Sequence, residues 1–497
     1  MLVPMIYLVA RAFDADAATL VDVVFRRRNL ALLGNTLALT ACVLAVTTAV
    51  ALPLAWLVTR SDLRFKGLHS VLGVLPLAVP GYVMAYALIG LSGYYGFASQ
   101  LLGIRLPRPE GLWGAALALS LYTFPYLFLN LRAALLGLDP GLEESARCLG
   151  RSPWNTFRTV TLPHLVPALL AGWLVIALYV VGDFGVIALM RYEVFSYAIF
   201  TQYSAAFDRV YAAWLSLMLM AVTLSFILIE ARLRRGRYAR VGKGAARPPA
   251  TVPLGRLRPL AWAFLALVYA ASLGLPLAVL GYWMAQSGVS ADMAEVARAF
   301  GRTTLAAGPA AVLATGLALP IVYLTVRFPS PFSSVIERLT YMGYAVPPLA
   351  FALSMVFFAL NVAPFLYQTL TLLIFAYCMT FLALALGPIR SRMLQIGPRL
   401  EEVSRSLGHG SLDSYMRVTF PLLNKSMVAA TLLVFIMIVK ELPITYLLAP
   451  TGYTTLSMAV FSRTSEGMMA QAAPYAAMIV VFSSFFVGLI LRYEGRK

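Results

Sequence analysis

Leu142-Glu143-Glu144-Ser145-Ala146-Arg147-Cys148-Leu149-Gly150, running on to Leu162-Pro163, recurs as Leu400-Glu401-Glu402-Val403-Ser404-Arg405-Ser406-Leu407-Gly408, running on to Phe420-Pro421. In both copies the second Glu is followed six residues later by Gly, and thirteen further on by Pro. The offset of 258 also relates Arg132 to Arg390 and Pro140 to Pro398. Earlier in each half, Gly34, Leu52-Pro53, Arg60 and Val79-Pro80 recur at an offset of 267 as Gly301, Leu319-Pro320, Arg327 and Val346-Pro347. The difference of nine is absorbed near Gly93 to Gly111, in a loop, where an insertion costs least. The chain is an internal repeat.

What repeats is a membrane pattern. Of 497 residues, 61% are hydrophobic and 12% charged, against about 45–50% and about 25% in soluble proteins. A soluble fold cannot hide that much apolar surface, so the expected class is an all-α polytopic membrane protein. A bilayer core needs about 20 apolar residues per helix. Runs of that length lie near 31–59, 67–91, 111–131, 165–190, 210–230, 260–285, 301–326, 335–360, 365–386, 424–448 and 473–492. Residues 1–12 are apolar but too short to span. They match the late part of the 260–285 run, where Leu275-Pro276-Leu277 parallels Val3-Pro4-Met5. They read as the outer half of a first helix whose start is truncated, giving 11–12 transmembrane helices. The net charge of +18 sits in short loops, as the positive-inside rule expects, and does not imply nucleic-acid binding. Cys42, Cys148 and Cys378 form no paired framework. Three histidines argue against a His-based metal cage, and no metal site is assigned.

Six spans separate the two Glu-Glu loops. An even number puts both loops on one side, so the repeat is parallel rather than inverted. Ala231 to Arg258 carries nine Lys or Arg and no acid. It reads as a cytoplasmic linker, attracted to an anionic leaflet by about 1 kcal/mol per basic residue. Arg60, Arg64, Lys66, Arg492, Arg496 and Lys497 mark the same side. Arg26-Arg27-Arg28 fall on the other, partly offset by Asp14, Asp16 and Asp22. The expected organisation is a first transmembrane half over 1–230, a linker over 231–258 and a second half over 259–497. Two equivalent six-helix halves imply a pseudo-twofold pathway.

Physics predicts a short helix at each Glu-Glu loop. Pro140 or Pro398 starts it, and acids lie near its positive end. Gly150 and Gly408 then allow a turn that a side chain would obstruct. These loops resemble the cytoplasmic EAA loop of permease subunits in binding-protein-dependent ABC importers, whose pattern is E-A-A, three residues, G, nine residues, I-x-L-P. Here Glu-Ser-Ala and Glu-Val-Ser stand for Glu-Ala-Ala, Val160 and Val418 for Ile, and Phe420 for Leu. The resemblance implies a type I permease that couples to ATPase subunits through Glu143, Glu144, Ala146, Gly150, Pro163, Glu401, Glu402, Ser404, Gly408 and Pro421. It implies two ATPase subunits carrying ATP-Mg, one per loop, and an extracytoplasmic solute-binding protein. It also implies a bacterial cytoplasmic-membrane location and one such chain per complex. The chain itself has no G-x-x-x-x-G-K-[ST]; Gly242-Lys243-Gly244 lacks the spacing and the hydroxyl. No cofactor or catalytic residue is expected. No Ser-His-Asp or Cys-His constellation supports an enzyme, and an ion-driven transporter or channel is the competing class.

Leu75-Pro76-Leu77-Ala78-Val79-Pro80-Gly81-Tyr82, Val181-Gly182-Asp183-Phe184-Gly185 and Val439-Lys440-Glu441-Leu442-Pro443, in a fused two-half chain, resemble the ferric-iron ABC importer permeases. Thiamine, phosphonate and polyamine importers share much of the pattern. Asp183 and Glu441 are offset by 258 and lie in apolar runs, where charge is costly. With Lys440, Pro443, Tyr82, Tyr86 and Tyr344 they are candidates for a pathway or gate. Ferric ion is hard and suits carboxylate and tyrosine oxygens, with Tyr179 and Tyr446 also near in sequence. The same acids could instead lock helix packing, with Lys440 neutralising them.

Overall fold

The computed structural model describes residues 2–234, 251–287 and 292–494. Among these residues the regular elements are helical, apart from one isolated bridge between Ser61 and Val252. Among the described residues, nine helices are long and apolar enough to cross a membrane, and up to eleven spans result if two bent helix pairs each count as one. The linker residues 235–250, including Gly242-Lys243-Gly244, lie outside the described residues, as do Arg496 and Lys497.

The two runs expected as spans at 67–91 and 335–360 are each sharply bent. Lys66–Ala78 and Gly81–Leu91 meet at 90°, and Pro331–Ala345 and Pro348–Val362 at 105°. The cause is local. A proline disfavours helical geometry in the residue before it and lacks an N–H. Val79 (φ −86°, ψ 116°) and Pro80 (φ −63°, ψ 151°) are extended, as are Val346 (φ −72°, ψ 130°) and Pro347 (φ −55°, ψ 131°). The repeated Val-Pro dipeptide is therefore a repeated elbow.

The helices form two compact units that do not follow the chain halves. One comprises Met1–Val23, Ile199–Leu217 and Val289–Lys497; the other comprises Val24–Ala198 and Met218–Gly288. In the first unit, helix Leu2–Ala12 packs on Pro348–Val362, with the Tyr7 and Phe358 rings 5.8 Å apart. In the second, Leu275–Ser287 packs on Gly81–Leu91, and Trp283 Nε1 donates to the Gly90 carbonyl at 3.1 Å. The proposed correspondence of Val3-Pro4 with Leu275-Pro276 thus has a structural counterpart. Each segment covers the same arm of an elbow in its own unit.

Both units are built on a long helix, Arg27–Arg60 or Met293–Arg327. The faces that pack are rich in small residues. Ala306, Ala307, Ala310, Ala311, Ala314 and Ala318 are all buried in one cluster with Leu373, Ala376 and Val434. Small side chains let helices approach closely where dispersion, not water, drives association.

Candidate functional site: the paired coupling loops

The first Glu-Glu loop forms helix Pro140–Cys148, and the second forms Arg399–Ser406. In the first, Asp139 accepts the Gly141 N–H at 2.9 Å and Pro140 occupies the first turn. Both helices end in the same way. Gly150 donates to the Arg147 carbonyl (2.9 Å) and Arg151 to that of Ala146 (3.2 Å). Gly408 donates to the Arg405 carbonyl (3.0 Å) and His409 to that of Ser404 (3.3 Å). This bond pair needs a left-handed residue after the last turn. Gly150 at φ +79° and Gly408 at φ +90° supply it. The glycines expected to permit a turn do so.

Ala146 and Ser404 are buried, which explains a small side chain at the third motif position. Neighbouring acids separate, because successive helical residues point about 100° apart. Glu144 and Glu402 are exposed. Glu143 and Glu401 turn inward. Thr161 Oγ1 donates to Glu143 Oε1 at 2.7 Å, and Arg60 Nη1 lies 3.4 Å from Glu143 Oε2. Thr419 Oγ1 donates to Glu401 Oε1 at 2.7 Å, Arg327 Nε donates to the same oxygen at 3.0 Å, and the Tyr323 hydroxyl donates to Oε2 at 3.3 Å. Both arginines end the long helices. Each also donates to a carbonyl, Arg60 to Leu135 at 3.1 Å and Arg327 to Gly397 at 3.3 Å.

The threonines owe their position to π-helical turns, Phe157–Thr161 and Tyr415–Thr419. Both end two residues before Pro163 or Pro421. A third such turn, Ala270–Gly274, ends two residues before Pro276. A proline in a continuing helix crowds the carbonyl four residues back, and a widened turn relieves that crowding. The sequence reading noted Arg60 and Arg327 as repeat markers but passed over Thr161 and Thr419. Their recurrence at the 258 offset was the available signal.

Around the outward acids, Leu142, Leu149 and Trp154 are exposed on one loop, and Leu400, Val403 and Leu407 on the other.

The pathway candidates divide between the units. Asp183 Oδ1 accepts the Val186 N–H at 2.8 Å, Oδ2 accepts the Tyr122 hydroxyl at 3.1 Å, and Ser196 donates to its carbonyl at 2.8 Å. Tyr82 and Tyr86 are buried on Gly81–Leu91 in the same unit. That helix starts against Asp183's partners: a Cβ on Gly81 would fall 2.7 Å from the Tyr122 ring and 2.9 Å from Val186. In the other unit, Glu441 accepts the Ile444 N–H at 3.1 Å, and Ser457 donates to the Glu441 carbonyl at 2.9 Å. Lys440 follows the last residue of Phe420–Val439, Pro443 begins Pro443–Leu448, and Tyr344 packs against the core of the same unit. Both acids therefore brace a turn where a span breaks. Tyr179 stacks on Tyr126 (4.7 Å), and Tyr446 lies edge-on to Phe200 (5.4 Å) and Phe461 (5.6 Å). Among the described residues, no three His, Cys, Asp or Glu side chains cluster as a metal site would require.

Sequence reading also missed one tie that recurs in both units. Thr36 Oγ1 accepts the Phe195 N–H at 3.4 Å, and Thr303 Oγ1 accepts the Leu456 N–H at 3.0 Å. Each fixes the start of a short helix, Phe195–Ser204 or Leu456–Ser465, to a long one.

A duplicated all-helical membrane chain with two matched, outward-facing capped helices has the form of a transport permease. The chain belongs to the family described as the binding-protein-dependent transport system inner membrane component, which matches residues 34–237 and 310–496. Over 496 residues it is 34% identical to the Fe(3+)-transport system permease protein FbpB 2 of Haemophilus influenzae, covering 99% of this chain and 95% of that protein. It is 24% identical to the ferric transport system permease protein FbpB of Actinobacillus pleuropneumoniae, over 90% of this chain and 69% of that protein. A shorter match, 36% over 137 residues, is to the molybdenum transport system permease protein ModB of Escherichia coli, covering 26% of this chain and 58% of that protein. The chain is thus the multi-pass, non-catalytic permease component of an ABC importer, working with ATPase and binding-protein partners. This sets aside the ion-driven transporter and channel readings.

Proposed function

We propose that this permease carries ferric iron, delivered by an extracytoplasmic binding protein, across the cytoplasmic membrane of a bacterium. Two ATPase subunits, one per loop, supply the energy. The cargo assignment is supported by likeness to an Fe(3+)-transport permease along nearly the whole of both chains. The coupling assignment rests on one observation: the same capped helix occurs twice, each with an exposed acid, Glu144 or Glu402, rimmed by exposed apolar side chains. Exposed apolar side chains grouped beside a charged one suit a protein partner. ATP-driven closure of the partners would move Pro140–Cys148 and Arg399–Ser406, and the attached spans would change access. Asp183, Glu441, Lys440, Pro443, Tyr82, Tyr86 and Tyr344 would shape or gate passage by holding the broken spans, with the carboxylates bracing turns rather than ligating cargo.

The test is radiolabelled ferric-iron uptake in iron-starved cells lacking the gene. Wild type should restore uptake, and Glu144→Ala with Glu402→Ala should not. Absence of rescue by wild type, with the protein present in the membrane, would refute iron as cargo. Thiamine and phosphonates would then be tried.

A further inference from the structure

The inward acids have partners whose positions serve more than neutralisation. Arg60 and Arg327 are the last residues of the two long helices, where the negative end of the helix dipole favours a cation. Glu143 and Glu401 sit in the first turn of the coupling helices, where the positive end favours an anion. Thr161 and Thr419 close the π turns that lead into the next span. Each carboxylate therefore joins three elements: a long helix distant in sequence, a coupling helix and the helix that follows it. Hydrogen bonds between charged groups are strong, and the second clamp is shielded, with Glu401 5% exposed. In the first, Arg60 is 2% exposed, but Glu143 keeps 18% of its side chain exposed and Arg60 Nη1 reaches it as an ion pair at 3.4 Å. The second clamp is fuller, with Tyr323 adding a donor one turn before Arg327.

We propose that Glu143 and Glu401 are positioning residues that make each coupling helix and the end of its long helix move as one body. A displacement imposed on the coupling helix is then delivered to Arg27–Arg60 or Met293–Arg327. The outward acids meet the partner, and the inward acids transmit its motion. The proposal rests on the coupling reading above.

Hydrogen exchange on the complete complex, with and without ATP-Mg and vanadate, tests it independently of cargo. In wild type, nucleotide should alter exchange both at 399–406 and at 320–330. In Glu401→Gln and Arg327→Met the change at 399–406 should persist. The change at 320–330 should fall at least about fivefold, the lower end of ordinary coupling factors. Arg327→Lys, which restores the charge, should recover part of the response. An undiminished response at 320–330 in both clamp variants overturns the proposal. Arg327→Met leaves Glu401 bonded to Thr419, so it carries the test if Glu401→Gln fails to assemble. Glu402→Lys separates the two ideas. If that variant keeps the full response at 399–406, docking through the outward acid is wrong while the clamp result stands. A wild-type complex with no response at 399–406 removes both.

Discussion

Replacing Asp183 by Ala and by Asn separates a bracing carboxylate from one that must carry charge past the cargo. In Asp183→Ala the Val186 N–H loses its acceptor at 2.8 Å and the Tyr122 hydroxyl loses its acceptor at 3.1 Å. Loss of a side-chain cap costs about 1 kcal/mol. An orphaned buried hydroxyl costs about 1–3 kcal/mol, and Tyr122 is buried. The sum is a destabilisation of about 2–4 kcal/mol, with the turn at Gly185–Leu189 loosened. Asp183→Asn keeps an oxygen for Val186 and a polar partner for Tyr122. Its cost is the difference between a charged and a neutral acceptor, about 1 kcal/mol. Stability would be read from unfolding midpoints in mixed micelles, and function from uptake in reconstituted vesicles with binding protein and ATPase. The expected pattern is a marked loss of both in Asp183→Ala, and near-normal uptake in Asp183→Asn. A folded, ATPase-competent Asp183→Asn permease that transports nothing would refute the bracing role and require the negative charge itself.

Gly408→Ala places a Cβ in open space but at φ +90°, so its cost is conformational alone, about 1–2 kcal/mol; Gly408→Asn should cost less, because Asn tolerates this region, and ATPase co-purification should follow the order Gly, Asn, Ala. Equal retention in all three would show that the turn can form another way. Asp62 accepts the Leu254 N–H at 3.0 Å and pairs with Arg258. The Leu254 amide, with Arg258 beside it, holds the Asp62 carboxyl below its ordinary value of 3.8. A depressed folded-state value means the tie is fully present above that pH and is lost as pH falls through the lower value. Protection of the Leu254 amide, referenced to unstructured-peptide rates at each pH, should therefore fall in acid. In Asp62→Ala it should be low at every pH, and pH-independent protection in wild type would contradict the assignment.

Much of the fold was legible because it is local. Apolar runs long enough to span, the 258 and 267 offsets, and the Glu-to-Gly-to-Pro spacing are all linear properties. The αL turns at Gly150 and Gly408 were legible for the same reason, since only neighbouring backbone decides whether a Cβ is tolerated. The elbows at Pro80 and Pro347 were half legible. The Val-Pro dipeptides stood out as repeats, yet hydropathy measures length and apolarity and is blind to direction. The N-terminal helix could be aligned with Leu275–Ser287 in sequence, but its place on Pro348–Val362 could not be read.

The sequence by itself determined a duplicated, all-helical membrane protein with two short Glu-Glu helices and no ATPase motif, because hydrophobic length, helix stops and glycine turns are set by residues a few positions apart. Only tertiary structure decided which acid of each Glu-Glu pair turns inward. Arg60 meets Glu143 and Arg327 meets Glu401 across more than seventy residues of chain. It also decided which donors reach Asp183 and Glu441, the amides of Val186 and Ile444 among them, since a carboxylate in an apolar run looks the same on paper whatever its oxygens meet. The physical reason is common to both. An acid withdrawn from water takes its role from the donors that reach it, and those donors arrive from other helices only when the chain has packed.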